Sequence, residues 1–311
     1  MKKRIVLLGE CMVELRQHDT NLLHKAFAGD VFNTAVYLQR SSGNSLDVQF
    51  FSAVGTDSLS DQLKSYANTE HIGTDLLFRV EDANPGLYMI ETDLQGERRF
   101  RYWRQASAAR QVMQCYTAHG DDTLLTGCQL LYFSGISLAI LSPADRQLLF
   151  LLLRKLKTHG CKLAFDANYR AGLWQYKEEA AAVCMQAYAL ADIALSGLDD
   201  HLALFGHQSA QQMSDWLLQL GIEEFVVKDG SRGSLGYCKQ QAFYTLACSV
   251  KEVVDTTSAG DAFNGGYLAA RLKGLNAEES ALYASRLAAF VVSQPGAIVE
   301  PAVFADFTRL P

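Results

Sequence analysis

Near the carboxyl terminus, a short polar stretch combines residue types that suit acid–base and anion chemistry. The stretch DTTSAGDAFNGGY, residues 255–267, is followed by an apolar run with helical periodicity. Ser258 or Thr257 can serve as the helix N-cap, so that Asp261 falls in the first turn. In one interpretation, Asp261 is structural: it accepts backbone amides and complements the helix dipole.

In a second interpretation, Asp261 is a base beside an anion-binding site. Gly260 lets another group approach the backbone closely, and the free amides of the first turn lie at the positive end of the helix. A carboxylate beside such a pocket can accept the proton of an alcohol during phosphoryl transfer. Asp255, six residues upstream, could reach a metal cluster. The spacing is compatible with a kinase, and the structural interpretation stays open.

A predicted hairpin in the first half of the chain offers a second group of candidates. GLYMIETD (residues 86–93) and ERRFRYWR (residues 97–104) are joined by LQG, a pattern typical of two antiparallel strands. Alternation places Tyr102 and Arg104 on one face, with Tyr88 opposite. Aromatic walls, a phenol and a guanidinium suit a polyol carboxylate. An ordinary exposed amphipathic hairpin is the alternative.

Two further motifs follow predicted strands. FDANYR, residues 165–170, ends at the sheet edge where open α/β folds bind ligands, and Arg170 there could pair with a carboxylate ligand or with a structural Asp. KDGSRG, residues 228–233, offers Gly230 and Gly233 for a backbone turn beside a nucleotide. The chain lacks the Gly-Lys pair of a P-loop and the long glycine fingerprint of dinucleotide-binding folds.

The elements that must position these residues alternate along the chain. Short apolar runs typical of buried strands are RIVLLG, VQFFSAVG, LLYFSGI, CKLAFDAN, DIALS and EEFVVKDG. Helical length and periodicity are found in NTAVYLQR and in residues 143–159 and 177–189. This alternation predicts an α/β fold with a mostly parallel central sheet covered by helices on both faces.

The hairpin interrupts that alternation. We therefore expect one domain over residues 1–311 with a small projecting β-sheet, formed by about residues 11–30 and 84–105. A projecting sheet beside the carboxyl ends of parallel strands is suited to act as a lid. An exposed lid sheet is also compatible with a homo-oligomer that pairs through it.

Composition narrows the class of protein. The 28 basic and 34 acidic residues give a net charge of −6, which makes nucleic acid an unfavourable partner. The seven cysteines are widely spaced without a Cys-x-x-Cys pair, which predicts reduced thiols and a cytoplasmic protein. No stretch is long and apolar enough for a transmembrane helix, and Glu10 and Glu14 interrupt the first apolar segment too early for a signal peptide.

The signature DTTSAGDAFNGGYLAARL resembles that of the ribokinase-like carbohydrate kinases. GECMVEL, AGDVFNTAVYLQR, AVGTDSLS, LLYFSGISLAILSP, FDANYR and VVKDGSRG follow in the family's order over nearly the whole chain. GLYMIE, YWR and NYR together resemble the branch that phosphorylates 2-keto-3-deoxygluconate. The resemblance implies a ribokinase-like fold and a sugar-acid kinase.

The resemblance also implies roles for individual residues. The second Asp of the signature is the family's base, which implies Asp261, with an anion hole formed by Ser258, Ala259 and Gly260. The implied substrate contacts are Gly29, Asp30, Asn33, Tyr88, Tyr102, Arg104 and Arg170. The implied nucleotide contacts are Asn168, Lys228, Gly230, Gly233, Ser258, Gly260 and Ser285.

The cofactors that the resemblance implies are ATP with Mg²⁺ and, as in many relatives, a monovalent cation such as K⁺ near Asp255 and Thr257. Two positions depart from the family's pattern. Ala28-Gly29 replaces a usual pair of glycines, which is expected to narrow or shift the approach to the sugar. The family's Asn-x-x-Glu motif, which organises magnesium-bound water, falls on residues 197–200, where Asp200 keeps a carboxylate and the amide is missing.

The expected reaction is ATP-dependent phosphorylation of 2-keto-3-deoxygluconate at its terminal hydroxyl, giving the 6-phosphate. A kinase for a related sugar, such as fructose, ribose or a nucleoside, is the nearest alternative. A regulator that binds a sugar acid without turnover is a second one, although retention of Asp261 and Gly260 argues against it.

Overall fold

A nine-stranded sheet forms the centre of the protein. The computed structural model describes residues 2–17, 19, 21–43, 45–92 and 98–308. The strand order in the main sheet is β13-β12-β11-β10-β9-β8-β1-β4-β5. The strands are β1 (Lys3–Leu8), β2 (Met12–Gln17), β3 (Leu23–Ala28), β4 (Leu46–Val54), β5 (Leu77–Arg79), β6 (Leu87–Thr92), β7 (Arg98–Trp103), β8 (Cys128–Ser134), β9 (Lys162–Asp166), β10 (Ile193–Gly197), β11 (Glu224–Lys228), β12 (Ser234–Cys238) and β13 (Gln241–Thr245).

Helices connect most of the strands, as the alternating pattern predicts. They are α1 (Asp30–Ser42), α2 (Ser58–Thr69), α3 (Val112–His119), α4 (Gly135–Ile140), α5 (Pro143–Thr158), α6 (Lys177–Tyr188), α7 (Leu198–Phe205), α8 (Ala210–Gln219), α9 (Ala259–Leu272), α10 (Ala277–Val292) and α11 (Pro301–Phe307). From β11 to β5 every neighbouring pair is parallel, and only β12 and β13 run antiparallel to their neighbours. The prediction of a mostly parallel sheet is therefore confirmed.

Both faces of the main sheet are buried. In β1, Val6 and Leu8 belong to one apolar cluster, whereas Ile5 and Leu7 belong to the cluster on the opposite face. Successive side chains of a strand point to opposite faces, so one continuous apolar run can fill two cores. This explains why the strands appear in the sequence as uninterrupted apolar runs.

A second, four-stranded sheet has the order β3-β2-β6-β7. β6 and β7 form the predicted antiparallel hairpin, with Tyr88 opposite Tyr102. The connecting LQG lies outside the described residues. β2 pairs in parallel with β6, so this sheet joins two distant segments of the chain. Its strands fall within the ranges expected for the lid, and its closing motion remains a prediction.

Two further findings concern the chain as a whole. Within the described residues, no helix is long and apolar enough to cross a membrane. All seven cysteines lie in the described part of the chain and are free thiols.

Candidate active site

The carboxyl ends of the parallel strands meet at one edge of the main sheet. β8 ends at Ser134, β9 at Asp166 and β11 at Lys228. Asn264 of α9 donates a 2.7 Å hydrogen bond to Asp166 Oδ2, which fixes the first turns of α9 at the same edge. Ligands bind at this edge in open α/β sheets. The structure therefore brings the signature helix and the strand-end motifs together.

The turn before α9 differs from the capping arrangement that the sequence indicated. Ser258 occupies the N-cap position with φ of 66°, in the left-handed region, and its side chain makes no capping hydrogen bond within the described chain. Its buried Oγ has no hydrogen-bond partner among the described residues. The N–H groups of Gly260 and Asp261 lie in the first turn, where a helix offers no internal acceptor. They are suited to bind an anion.

Asp255 holds this turn in place. Its Oδ1 accepts a hydrogen bond from the Thr257 N–H, and its Oδ2 accepts one from the Gly296 N–H, each at 2.9 Å. The Asp255 N–H donates to the carbonyl oxygen of Val292 at 3.1 Å. The buried carboxylate thus ties the turn before α9 to the segment after α10. A monovalent cation near Asp255 and Thr257 remains a prediction.

Neighbouring residues fix the position of Asp261 and shift its pKa. Asn33 of α1 donates a 2.9 Å hydrogen bond to Asp261 Oδ2. The helices α1 and α9 approach so closely at Gly265 that a Cβ there would lie 2.7 Å from a backbone oxygen of α1. Burial and then the charge of Asp30 raise the pKa of Asp261 to about 7, while the Asn33 hydrogen bond and the Lys228 charge lower it. Such a carboxylate can accept a proton near neutral pH.

Asp30 supplies a second carboxylate to the same pocket. Asn168 Nδ2 donates a 2.9 Å hydrogen bond to Asp30 Oδ2, and burial raises the pKa of Asp30. Gly29 precedes Asp30, and a Cβ at Gly29 would lie only 2.1 Å from the Glu10 carbonyl oxygen. Asn168, for which the resemblance implies a nucleotide contact, thus lies beside Asp30, for which it implies a sugar contact.

The Ala28-Gly29 departure has a packing explanation. Ala28 is buried in an apolar cluster with residues of the small sheet and with Ala297. Its methyl group therefore fills space between the small sheet and the loop after α10. The close backbone approach requires glycine only at position 29.

Lys228 is the centre of a buried polar cluster. Its Nζ donates to Asp166 Oδ2 at 2.9 Å and to Asn264 Oδ1 at 3.0 Å. Asn264 Nδ2 also donates to the Tyr132 hydroxyl at 3.0 Å. A Cβ at Gly260 would lie 3.4 Å from Lys228 Nζ, so this cation is next to the first turn of α9. Its charge is available to an anion bound at that turn.

The sequence interpretation assigned no role to Asp166 or Asn264. The only signal for them was position: Asp166 lies within FDANYR, and Asn264 follows Asp261 by three residues, which places both on one helix face.

The small sheet presents an aromatic surface. The ring centroids of Tyr88 and Tyr102 are 5.8 Å apart, and those of Phe100 and Tyr102 are 6.4 Å apart. Tyr102 is 46% exposed, whereas Tyr88 is buried and its hydroxyl donates to Glu14. The predicted shared face of Tyr88 and Tyr102 is therefore present in the hairpin register.

The two candidate arginines lie in different environments. Arg104 follows β7 and is buried in an ion pair with Glu10, a carboxylate that the sequence interpretation did not assign. Arg170 has a side chain that is 55% exposed and lies 3.1 Å from Asp200. Burial raises the pKa of Tyr102, and the charges of Arg104 and then Arg170 oppose that effect.

Asp200 lies at the start of α7, 3.1 Å from the Arg170 guanidinium. Burial and then the charge of Asp166 raise its pKa to about 6, although the charges of Arg170 and Lys228 lower it. A divalent cation nearby would also lower that pKa. Within the described residues, no group of three or more His, Cys, Asp or Glu side chains is arranged to hold a metal by itself.

The candidate nucleotide contacts lie further along the same edge. Gly230 and Gly233 have φ of 54° and 105°, values that favour glycine. A Cβ at Gly233 would also lie 2.2 Å from the Thr245 carbonyl oxygen. Ser285 of α10 accepts a 3.2 Å hydrogen bond from the Cys248 N–H, in the loop that leads to α9. Gly230 and Gly233 thus shape the backbone after β11, which ends at Lys228, whereas Ser285 holds the loop before α9.

Comparisons with known proteins agree with this geometry. A family model described as pfkB family carbohydrate kinase matches residues 2–302. The 2-dehydro-3-deoxygluconokinase of Escherichia coli (strain K12) is 40% identical over 303 residues, covering 96% of this chain and 98% of that protein. The enzyme of the same name from Dickeya dadantii (strain 3937) is 39% identical over 301 residues, covering 96% of this chain and 97% of that protein.

A solved structure shows the same fold. The 2-dehydro-3-deoxygluconokinase from Thermotoga maritima superposes with a TM-score of 0.85 at 21% identity, covering 96% of this chain and 95% of that chain. The family model and the relatives both match nearly the whole chain, and they confirm the family that the sequence around α9 resembled. The chain belongs to the PfkB family of carbohydrate kinases.

Proposed function

We propose that the protein transfers the γ-phosphoryl group of ATP to the terminal hydroxyl of 2-keto-3-deoxygluconate, giving the 6-phosphate. The observation that carries the proposal is Asp261, a carboxylate with its pKa raised to about 7 in the first turn of α9. The two relatives at 40% and 39% identity are named for this activity, and each matches this chain over nearly its full length. 2-Dehydro-3-deoxygluconate is the same compound under its other name.

In the proposed reaction, Asp261 takes the proton of the sugar hydroxyl as its oxygen attacks the γ-phosphorus. The N–H groups of Gly260 and Asp261 stabilise the charge on the transferring group, with Ser258 and Ala259 shaping the turn. Lys228 adds a fixed positive charge beside Gly260. The developing ADP leaves in line with the attacking oxygen.

The site also fits the ions that accompany ATP. When bound, Mg²⁺ would shield the phosphate charge, and Asp200 would supply the carboxylate that holds magnesium-bound water. Asp255 and Thr257 supply oxygen donors of the type that K⁺ prefers, at the turn before the anion hole. Gly230, Gly233 and Ser285 are the proposed nucleotide contacts, with Asn168 between the nucleotide and Asp30.

The proposed sugar pocket joins the two sheets. Beside Gly29, Asp30 accepts hydrogen bonds from sugar hydroxyl groups and Asn33 donates hydrogen bonds to them. Tyr88 and Tyr102 form an aromatic wall. Arg170 and Arg104 provide positive charge for the carboxylate. We assign the direct contact to Arg170 because it is exposed in its pair with Asp200, whereas Arg104 is buried in its pair with Glu10.

Arg170→Ala is expected to lower kcat/KM for the sugar acid by about ten- to a hundredfold, because a charge-assisted pair contributes roughly 1.5–3 kcal/mol. A neutral sugar that the enzyme accepts should be affected much less. Arg170→Lys should recover only part of the loss, since an ammonium lacks the planar fork. Steady-state kinetics with both substrates check this, and equal losses for acid and neutral sugars would show that Arg170 has a structural role.

The small sheet is expected to close over the sugar as a lid. Saturating sugar acid should therefore slow hydrogen exchange in residues 86–104, because closure orders a projecting sheet. Helix α8 (Ala210–Gln219) packs on β11 and β12 of the main sheet and serves as the internal control. Unchanged exchange in residues 86–104 at saturating substrate would mean that the hairpin does not close over the ligand.

An ATP-consumption assay over sugar acids and neutral sugars, with Mg²⁺ present, tests the proposed reaction. We expect 2-keto-3-deoxygluconate to be turned over fastest and the product to carry phosphate at its terminal position. Preferred turnover of fructose, ribose or a nucleoside would favour the neutral-sugar alternative. Binding of the acid without ATP consumption would favour a regulator. Size measurements on the same preparation test for a homo-oligomer through the small sheet.

A further inference from the structure

Arg16 lies at a junction between the small sheet and the loop after α10. It belongs to β2, and its Nη2 donates a 2.9 Å hydrogen bond to Glu14 Oε1. The Glu14 side chain is only 1% exposed. Its other oxygen, Oε2, accepts from the hydroxyl of Tyr88. One buried carboxylate therefore connects Arg16 to the aromatic surface of the small sheet.

The same Arg16 nitrogen, Nη2, lies close to Gly296. A Cβ at Gly296 would lie 2.9 Å from Arg16 Nη2, and Gly296 has φ of 88°. The Gly296 N–H donates to Asp255 Oδ2 at 2.9 Å, and Asp255 Oδ1 accepts from the Thr257 N–H at 2.9 Å. The guanidinium lies beside Gly296, and two hydrogen bonds then lead from Gly296 through Asp255 to the turn that precedes the anion hole.

Packing strengthens the same connection. Ala297, next to Gly296, is buried in an apolar cluster with Met12, Ala28, Tyr88 and Ile90. A displacement of the small sheet therefore moves atoms that press on the 296–297 segment, because close-packed interiors transmit small shifts. Arg16 Nε is also buried without a hydrogen-bond partner among the described residues. This donor remains available to an acceptor that a shift of the sheet brings within reach.

We propose that Arg16, held by Glu14, is a positioning residue that couples occupancy of the sugar pocket to the geometry of the anion-binding turn. The inference rests on the proposed function in that Tyr88 and its sheet meet the sugar. Sugar binding fixes the position of Tyr88, and the hydrogen bonds of Glu14 then fix the position of Arg16. Arg16 in turn limits the movement of Gly296, whose N–H binds Asp255. Linkage makes the effect reciprocal, so the sugar tightens nucleotide binding by the same factor as the nucleotide tightens sugar binding.

The test compares affinities for the non-hydrolysable β,γ-imido analogue of ATP, with Mg²⁺, in the absence and presence of saturating sugar. Wild type should bind the analogue at least about fivefold more tightly with sugar, the lower end of typical coupling. Arg16→Gln should reduce that ratio to less than about twofold while leaving the affinity without sugar nearly unchanged. Arg16→Lys should retain an intermediate ratio, since it keeps the charge but not the fork.

Arg101→Gln is the matched control. Arg101 lies on β7 of the same sheet and pairs with Glu91 at 2.9 Å, but its side chain is 61% exposed. This variant should keep the wild-type ratio. The proposal is overturned if sugar leaves the affinity of wild type for the analogue unchanged, or if Arg16→Gln keeps the wild-type ratio. It is also overturned if Arg16→Gln weakens analogue binding equally with and without sugar, which is the result of a purely structural role.

The sugar used is the one that the ATP-consumption assay identifies. If that sugar is neutral, the proposed substrate is wrong, and the ratio of affinities still decides whether Arg16 couples the two sites. If 2-keto-3-deoxygluconate is the substrate and the ratio does not depend on Arg16, only the coupling is wrong. The two failures are therefore distinguishable.

Discussion

Asp261→Asn is expected to lower kcat by at least about 10²-fold, because the variant keeps the size of the side chain but removes the proton acceptor. The amide can still interact with Asn33, which lies 2.9 Å from the carboxylate in wild type. Binding of ATP should change little, since the first-turn amides and Lys228 are retained. Steady-state kinetics and nucleotide titration on the purified variant measure both effects.

The pH dependence of folding provides a control for Asp261→Asn. The pKa of Asp261 is about 7 in the folded protein, against about 3.9 for an unfolded Asp. Between these pH values the native state binds more protons, so the free energy of unfolding of wild type falls as pH rises through 7. The Asn variant lacks this loss of stability. The melting temperature of the variant minus that of wild type should therefore increase from pH 4 to pH 8.

Asp57→Asn is the matched comparison, since Asp57 caps α2 through the N–H groups of Leu59 and Ser60. Burial acts to raise its pKa, but the hydrogen bonds from the Ser60 hydroxyl and from the N–H groups of Ser60 and Leu59 together lower it. The Asn variant of Asp57 should therefore lose stability relative to wild type as pH rises to about 5 and change little from there to pH 8, while turnover stays nearly normal. Near-normal turnover in folded Asp261→Asn would instead leave Asp261 with only a structural role, as the acceptor of the Asn33 hydrogen bond.

Lys228→Met is expected to lower kcat by about 10²- to 10³-fold, the effect of removing one donor that stabilises transition-state charge. The charge of Lys228 also lowers the pKa of Asp261. Without it, the rise of kcat/KM with pH should move to higher pH. A pH–rate profile of the variant measures this shift, which a loss of folded protein alone would not produce.

Stability must be separated from catalysis in Lys228→Met. The variant leaves Asp166 buried without its cation, and breaking a buried pair costs roughly 3–5 kcal/mol. Asp166→Asn combined with Lys228→Met removes both charges and should restore much of the stability but not kcat. Lys157→Met removes a Lys–Asp pair of the same 2.9 Å length at the surface and should leave kcat unchanged. Recovery of kcat in the double variant would assign Lys228 a purely structural role.

The sequence was sufficient to predict elements and motifs whose signal is local. Buried strands such as β1 and β8 appear as apolar runs, and the hairpin of β6 and β7 appears as two alternating segments. Asp261 could be placed in the first turn of α9 because small residues and an apolar helical run surround it. These features depend on near neighbours in the chain.

Interactions between distant segments could not be predicted in the same way. Glu10 and Arg104 are 94 positions apart, and Lys228 and Asp166 are 62 apart. No local pattern indicates that Arg104 is neutralised by a buried carboxylate or that Lys228 pairs with the end of β9. The left-handed conformation of Ser258 was missed for a related reason, since Asp255 and the segment after α10 hold that turn.

The most direct test of the proposed function is the ratio of kcat/KM for 2-keto-3-deoxygluconate to kcat/KM for fructose, measured with one preparation of the wild-type enzyme. A pocket that pairs a guanidinium with the substrate carboxylate should discriminate against a substrate that lacks it, because the charge is then left without its partner. We predict a ratio of at least about 10² in favour of the acid. A ratio near one, or a preference for fructose, would contradict the assignment of this protein as a sugar-acid kinase.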